Sequence, residues 1–199
     1  MGRKSVRNTR GRIISTAWKL FYEQGYENTT VEDIVFESET SKGSFYHYFE
    51  SKDALLGSLS YLFDEKYEEL SETMDPSLGP VEKLITMNRE LFLMIENTVS
   101  VSILSQLFSS NLTSKGERHL LDPDRTYYKL LRSIAIQGKQ DGVFRDDLSV
   151  NDITKAYALY ERGIMYDWCI CNGDYSLKAY AARMMPQLLQ TLRRKEEGA

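Results

Sequence analysis

One short aromatic stretch decides how this chain folds: residues 41–55 read SKGSFYHYFESKDAL. Four aromatic rings occupy five positions, and small polar residues with a lysine flank them. On a helix, Phe45, Tyr48 and Phe49 share one face, so we expect that face to anchor the helix in a core. The anchor is needed because isolated helices below about 12 residues are marginal in water. The other side of the helix is then available to a partner.

Two further helices precede this stretch. Apolar residues recur at helical spacing over 9–24, and Gly25 ends that helix because glycine takes the left-handed cap at little steric cost. A second helix begins near Val31, and residues 38–40 separate it from the third. Helices of about 16, 8 and 8 residues predict a three-helix unit with a helix-turn-helix.

The remainder of the chain also reads as helices. Ser51 caps a fourth helix, predicted as one long element over 52–74, and a joint rich in proline and glycine follows at 75–80. The later helices are predicted at roughly 80–97, 99–113, 125–141, 150–171 and 176–194. The predicted fold class is all-α, with an N-terminal three-helix bundle and a larger C-terminal helical bundle. We place the domains at 1–51 and 52–199, joined by helix 52–74.

Charge is distributed unevenly along the chain. The net charge is −4, from 25 Lys+Arg and 29 Asp+Glu, which argues against a protein that coats nucleic acid generally. Residues 1–22 nevertheless carry no acid and six basic residues: Arg3, Lys4, Arg7, Arg10, Arg12 and Lys19. This end either contacts phosphates or is a solvated basic segment.

Other classes of protein find little support. No apolar run reaches the 18 residues of a membrane span, and the first residues lack a secretory signal, so we expect a cytoplasmic protein without membrane contact. Cys169 and Cys171 are expected to be free thiols. We find no catalytic triad, no phosphate-binding glycine loop and no metal-ligand spacing, and therefore expect neither an enzyme nor a cofactor or metal.

The side of the third helix that lacks the anchor fits a nucleic acid. Its residues are small or polar: Ser41, Lys42, Gly43, Ser44 and His47. A first turn of this kind can enter the major groove, about 12 Å wide, and place donors against base edges. Lys42 can reach a guanine edge or a phosphate, and the Tyr46 hydroxyl suits a phosphate oxygen. Lys42 and His47 can also be read as ordinary solvated side chains.

The segment TTVEDIVFESETSKGSFYHYFESKDAL, residues 29–55, resembles the DNA-binding signature of the TetR family of bacterial repressors. The match extends from Ile13 through Leu56. The resemblance implies base contacts by Ser41–Ser44 and His47. It implies phosphate contacts by three further residues: Thr30, Tyr46 and Lys52.

The chain departs from the family pattern in its turn. The family usually reads Ala-Gly-Val before the serine, whereas this chain has Ser38-Glu39-Thr40. If Glu39 takes the left-handed conformation that glycine adopts freely, the strain is about 1–2 kcal/mol. The turn is therefore the position at which this helix-turn-helix is expected to differ from its relatives.

A small recognition helix makes few contacts, so two copies must bind half-sites about one turn, roughly 34 Å, apart. We expect a homodimer formed through the last two helices, whose apolar stripes can also be read as intrachain core. An effector pocket in the second bundle is predicted with these residues: Met87, Leu91, Met94, Leu104, Phe108, Tyr127, Tyr128, Tyr157 and Trp168. Each of them can equally be ordinary core.

The predicted function is a ligand-responsive DNA-binding transcriptional regulator. It is expected to be a repressor that binds a palindromic operator as a dimer and is released by a small apolar or aromatic effector, of unknown identity. The alternative is an architectural or division-linked DNA-binding protein on the same scaffold, with a protein partner and no small-molecule effector.

Overall fold

A computed structural model describes residues 2–113 and 119–194, with the side chains of residues 2–8, 61 and 119 outside that description. These residues form ten α-helices and one short 3₁₀ turn, His119–Leu121. The helices are α1 Gly2–Gln24, α2 Val31–Glu37, α3 Lys42–Tyr48, α4 Lys52–Leu56, α5 Leu59–Thr73, α6 Pro80–Thr98, α7 Val101–Thr113, α8 Thr126–Gln140, α9 Val150–Ile170 and α10 Leu177–Gln190. The predicted all-α class is confirmed.

The chain forms two compact units. Unit 1 comprises Met1–Tyr61 with Thr98–Leu120, and unit 2 comprises Leu62–Asn97 with Leu121–Ala199. Unit 1 therefore extends beyond the predicted domain 1–51, because α7 packs on α4 and because Gln106 Nε2 donates to Glu27 Oε1 at 2.9 Å. The roles assigned to 1–51 and 52–199 stay predictions.

Side-chain caps define the helices of the helix-turn-helix. At the start of α2, Thr30 Oγ1 accepts from the Asp33 backbone N–H at 3.1 Å, while Asp33 Oδ2 accepts from the Thr30 backbone N–H at 2.8 Å. This reciprocal pair is a capping box. At the start of α3, Ser41 Oγ accepts from the Ser44 backbone N–H at 3.0 Å. Both helices thus begin where the polar residues of the sequence predict.

The predicted single helix over 52–74 is wrong, because the chain breaks at Gly57 and Ser58 into α4 and α5. Ser58 is buried, and both its backbone N–H and its hydroxyl donate to the Leu55 carbonyl. The Ser58 oxygen also accepts from Trp18 Nε1 at 2.9 Å. This bond from α1 fixes the break within unit 1, and the connecting helix is α5 alone.

The last helix is shorter than the predicted 176–194 and ends at Gln190. After it, Arg145 N–H donates to the Leu192 carbonyl at 3.0 Å, and Arg194 N–H donates to the Val143 carbonyl at 2.9 Å. Residues 192–194 therefore pair with 143–145 as an isolated antiparallel bridge and do not continue the helix.

Helix length and composition were compared with those of a membrane span. Of the helices within 2–113 and 119–194, none is by itself both long and apolar enough to cross a membrane, and α6 and α7 meet that measure only as a broken pair.

Candidate nucleic-acid interface and a buried polar cluster

The short helix α3 is held by its aromatic side chains. Phe45 and Phe49 are buried, with ring centroids 5.7 Å apart, whereas Tyr48 is half-buried. The guanidinium of Arg10 lies 5.6 Å from the centroid of the Phe49 ring, which brings one basic residue of α1 to the end of α3. The anchoring face predicted from the sequence is thus formed mainly by the two phenylalanines.

The first turn of α3, residues 41–44, is named here the recognition turn. Ser41, Lys42 and Gly43 are exposed, and Ser44 is half-buried with its hydroxyl 2.9 Å from the Ser41 hydroxyl. A Cβ built on Gly43 would meet only Ser41 Oγ, at 3.8 Å, which is ordinary contact. The fold itself therefore leaves room for a side chain at this position, and the lack of one keeps the backbone open to solvent.

Lys42 is paired within the protein. Its ammonium contacts the carboxylate of Glu32 on α2, and both side chains are largely exposed. The hydrogen bond between them raises the pKa of Lys42 and lowers the pKa of Glu32. A nucleic acid that binds Lys42 would therefore share its ammonium with Glu32 or displace that carboxylate.

Two predicted phosphate contacts, Tyr46 and Thr30, and the predicted base contact His47 are exposed. The Tyr46 side chain is 54% exposed, with its ring edge-to-face on Phe45. His47 is also exposed and lies against the Tyr48 ring. Thr30 is exposed, although its hydroxyl serves the cap of α2. These three side chains can reach a ligand from the surface of unit 1.

Lys52 has a structural role that its sequence position did not reveal. Its ammonium donates to the carbonyls of Tyr26 at 2.8 Å and Thr29 at 3.0 Å, and it lies 4.1 Å from the Tyr26 ring centroid. The Tyr26 hydroxyl donates to Asp53, and burial, followed by that bond, raises the Tyr26 pKa. Lys52 thus fastens the loop before α2 to the start of α4, and a phosphate contact would share the same ammonium.

The turn between α2 and α3 adopts the strained conformation. Glu39 has φ 52°, in the left-handed region, and its side chain is exposed. On either side of it, the Ser38 and Thr40 hydroxyls lie 2.8 Å apart. The turn keeps the geometry that glycine would adopt without strain, and a carboxylate occupies its tip.

The residues predicted to line a pocket fall in both units. Leu104 and Phe108 lie on α7 in unit 1. The others lie on helices of unit 2: Met87, Leu91 and Met94 on α6, Tyr127 and Tyr128 on α8, and Tyr157 and Trp168 on α9. All of these unit 2 residues except Met94 are buried. The set is therefore divided between the two units, and two of its unit 2 members, Tyr127 and Tyr157, donate to the same buried carboxylate.

That carboxylate is the centre of a buried polar cluster around Glu161, which the sequence reading missed. Asn88 Nδ2 donates to Glu161 Oε1 at 3.1 Å, and the Tyr127 hydroxyl donates to Oε2 at 2.9 Å. The Tyr157 hydroxyl lies 2.8 Å from Oε1 and 2.9 Å from the Leu84 carbonyl. We name Asn88, Tyr127, Tyr157 and Glu161 the Glu161 cluster. The sequence does contain one signal for this cluster: Glu161 follows Tyr157 by four residues, so both side chains lie on the same buried face of α9.

Burial dominates the electrostatics of this cluster. Glu161 is 2% exposed, and desolvation raises its pKa although the three hydrogen bonds oppose the rise. Burial likewise raises the pKa values of Tyr127 and Tyr157, and the nearby Glu161 carboxylate adds to the effect. Perturbed pKa values of this kind are concentrated at functional sites, although structural networks show them too.

The Glu161 cluster is joined to α5 through α8. Arg125 Nε donates to Asp64 Oδ2 at 2.9 Å, and the Tyr127 backbone N–H donates to Asp64 Oδ1 at 3.2 Å. The Tyr67 and Tyr127 rings lie 4.9 Å apart between centroids. Both links attach the start of α8 to α5, the helix that runs from unit 1 into unit 2.

An apolar face of α9 is exposed in the single chain. Leu159, Tyr166 and Ile170 are at least half exposed, and on α10 Tyr180 and Met184 are partly exposed. Leu188 is half-buried, and five further residues of the predicted apolar stripe on the last helix are intrachain core: Leu177, Ala181, Met185, Leu189 and Leu192. The stripes were predicted to be either a dimer interface or intrachain core, and the exposed side of these helices fits the first while the buried side is the second.

Among the residues that the structure describes, no group of three or more His, Cys, Asp or Glu side chains could hold a metal ion.

Comparison with known proteins assigns the family. The family model described as bacterial regulatory proteins, tetR family, matches residues 13–59. The HTH-type transcriptional repressor DhaR of Mycobacterium sp. (strain GP1) is 30% identical over 154 residues, covering 75% of this chain and 75% of DhaR. The uncharacterized HTH-type transcriptional regulator YxaF of Bacillus subtilis (strain 168) is 33% identical over 185 residues, covering 92% of this chain and 96% of YxaF. The chain belongs to the tetR family of bacterial regulatory proteins.

A solved structure of a tetR-family protein shares the fold. FadR of Thermus thermophilus, a TetR-family transcriptional repressor in complex with lauroyl-CoA, matches with a TM-score of 0.75 at 24% identity, covering 96% of this chain and 98% of FadR. The predicted family and the function as a DNA-binding transcriptional regulator are confirmed, and the family is one of regulators rather than of enzymes. Which side chains bind DNA or an effector stays a prediction.

Proposed function

We propose that this chain is a cytoplasmic repressor that binds a palindromic DNA operator as a homodimer and is released by a small apolar or aromatic effector. The observation that carries the proposal is the recognition turn. Its exposed Ser41, Lys42 and Gly43 begin a helix whose opposite face, Phe45 and Phe49, is buried. Small polar residues on a firmly held first turn are suited to the major groove.

The individual DNA contacts follow from exposure and chemistry. Lys42 is assigned to a guanine edge or a phosphate, beside or in place of Glu32, and Ser41, Ser44 and His47 to base edges. Tyr46 and Thr30 are assigned to phosphate oxygens, which position the helix but carry no sequence information. We expect Lys52 to contribute indirectly, because it holds the loop that presents Thr30.

The dimer is assigned to α9 and α10. Leu159, Tyr166 and Ile170 form an exposed apolar row on α9, and Gly163 in the same row has open space around its backbone. Rows of this kind, doubled by a two-fold axis, make an isologous four-helix interface. Two recognition helices can then address half-sites about 34 Å apart.

Release by an effector is supported by the family and by unit 2. FadR of Thermus thermophilus is a repressor in complex with lauroyl-CoA. In this chain two buried tyrosines of unit 2, Tyr127 and Tyr157, belong to the Glu161 cluster, which is joined to α5 by Asp64. An effector that prefers one arrangement of α5 would shift the dimer toward it, by no more than its differential affinity for the two arrangements.

Duplex selection followed by fluorescence anisotropy tests the proposal. A random duplex pool is enriched on the full chain, and the bound sequence should contain two inverted half-sites. The double variant Lys42→Ala/Tyr46→Phe should lose operator affinity by about tenfold or more, the loss expected for one base contact. Lys129→Ala, which removes an exposed lysine of unit 2, is the matched control. Unchanged operator affinity in the double variant would sink the assignment of the DNA-binding surface.

A further inference from the structure

The Glu161 cluster has fewer hydrogen-bond donors than acceptor positions. A carboxylate offers about four acceptor positions, and within residues 2–113 and 119–194 three side chains donate to this one: Asn88, Tyr127 and Tyr157. The Tyr157 hydroxyl has a single proton, which lies between Glu161 Oε1 and the Leu84 carbonyl. When that proton goes to Leu84, Glu161 keeps two donors. The cluster can therefore accept at least one additional donor.

The charge of Glu161 is likewise uncompensated at short range. Within the described residues Glu161 makes no ion pair, and its hydrogen-bond partners are neutral. Arg162 is the cation whose charge acts on it, and that guanidinium donates to the Tyr128 hydroxyl at 3.2 Å. A buried carboxylate without a paired cation is unfavourable, because desolvation of the charge is only partly offset by neutral hydrogen bonds.

Buried residues that neighbour the cluster along α6 and α9, and the ring that lies against Tyr127, are apolar or aromatic. On α6, Met87 and Leu91 are buried next to Asn88 along the helix. The buried Tyr67 ring lies against Tyr127, and Trp168 is buried two turns after Glu161 on α9. Such surroundings favour an apolar ligand body and leave Glu161 to recognise its polar group.

We propose that the Glu161 cluster binds the polar end of the effector and selects a molecule with a protonated amine or a hydroxyl on an apolar body, and that it rejects a carboxylate. This inference rests on the proposed effector response of unit 2. A donor on the ligand supplies what the cluster lacks, and an ammonium also neutralises Glu161. A ligand carboxylate would instead place a second negative charge beside it.

Binding at this position would act on α5. Of the two Glu161 oxygens, Oε2 accepts a single hydrogen bond from the described residues, which comes from the Tyr127 hydroxyl. A ligand donor at Oε2 would share that oxygen with Tyr127 and weaken the Tyr127 hydrogen bond, and the backbone of Tyr127 is bound to Asp64 on α5. Tyr127 would then take part both in the recognition of the polar group and in the release from DNA.

Matched probes test the head-group selection by isothermal titration calorimetry on the full chain without DNA. Three share a naphthalene ring: 2-naphthylmethylamine, 2-naphthalenemethanol and 2-naphthoate. Three share a decyl chain: decylamine, 1-decanol and decanoate. The amine of at least one series should bind about tenfold or more tighter than its carboxylate, as expected for one charge-assisted hydrogen bond, with the alcohol between them.

Variants separate recognition from folding. Glu161→Gln should weaken the amine about tenfold while it spares the alcohol and strengthens the carboxylate, a reversal of order that loss of structure cannot produce. Tyr127→Phe, which keeps the carboxylate, should preserve the preference for the amine. Glu69→Gln, which removes an exposed carboxylate of unit 2, should change none of the affinities.

Amine binding should also release protons and tighten as the pH rises, because the bound cation favours the charged form of Glu161. The proposal is overturned if the carboxylates bind as well as the amines, if Glu161→Gln leaves the order unchanged, or if none of the six probes binds. Because DNA is absent, failure of the operator test alone would leave this result standing, and failure here would leave the repressor assignment intact.

Discussion

Lys42 at the start of α3 forms an exposed ion pair with Glu32 at the start of α2. The pair joins the two helices of the helix-turn-helix on the surface proposed to meet DNA. Exposed ion pairs contribute little to stability because water and salt screen them, so this one matters less to the fold than to the charge presented to a phosphate backbone. In the free protein, the lysine proposed to contact DNA is therefore already paired with a carboxylate.

Glu32→Gln should therefore strengthen DNA binding. The change frees Lys42 and removes a carboxylate that repels phosphates, so we expect about a two- to tenfold gain in affinity at low salt, within the range of a single charge contact. Anisotropy with a selected operator and with an unrelated duplex, at two salt concentrations, measures it. The gain should appear on both duplexes and shrink with salt. Weaker binding by Glu32→Gln, with Glu72→Gln in unit 2 unchanged, would show that Glu32 contributes directly to recognition.

Gly43→Ala should separate folding from function. A Cβ at Gly43 has room in the free protein, and alanine is the better helix former, so the free energy of unfolding should stay equal or rise by up to about 1 kcal/mol. Operator affinity should fall about tenfold or more if the backbone of the recognition turn approaches the bases closely. Urea denaturation and anisotropy measure the two effects. Gly11→Ala on α1, where a Cβ also meets open space, should gain similar stability and keep its DNA affinity.

Glu39→Gly should stabilise the protein. Glu39 sits at φ 52°, where a side chain costs about 1–2 kcal/mol, and glycine removes that strain while adding some entropy to the unfolded chain. We expect a net gain of about 0.5–1 kcal/mol in the free energy of unfolding, measured by urea denaturation. Asn172, which has the same φ, is the control: asparagine tolerates this region, so Asn172→Gly should gain less. An equal gain at both sites would refute strain at Glu39.

The stability of the protein should depend on the protonation of Glu161. Burial raises the folded pKa of Glu161 above the unfolded value of about 4.3, so the folded state binds the proton more tightly. This contribution to stability is complete below the unfolded pKa and is lost as the pH rises through the folded pKa. Relative to Glu161→Gln, the wild type should therefore lose stability from about pH 4.5 upward. Urea denaturation of both proteins across this range measures the difference, and a constant difference would contradict the expectation.

The sequence predicted the helices and the recognition turn better than the joints between helices. Caps such as Thr30 and Ser41 act within a few residues, so their chemistry is visible locally. The break at Ser58 is fixed by Trp18, which is 40 residues away in the chain. The periodicity of apolar residues continues across 57–58, and it gives no sign of that bond.

The candidate DNA-binding surface could likewise be predicted from the sequence better than the effector region. The exposed first turn of α3 could be predicted from one continuous stretch, and its contacts with DNA stay a prediction. Glu161 was missed, because a glutamate between apolar residues reads as solvated until its three partners, on α6, α8 and α9, are brought around it. The phosphate contact of Lys52 follows from the resemblance and stays a prediction, whereas the fold shows that its ammonium also donates to two backbone carbonyls.

By itself, the sequence determined the all-α class, the caps at Thr30 and Ser41 and the exposed turn that follows Ser41, since each depends on neighbours within about one helical turn. The tertiary structure alone decided which polar groups are buried together, which lysine is occupied and which side of α10 is core. Those outcomes depend on desolvation and on hydrogen bonds between residues distant in the chain, and local sequence carries no record of either.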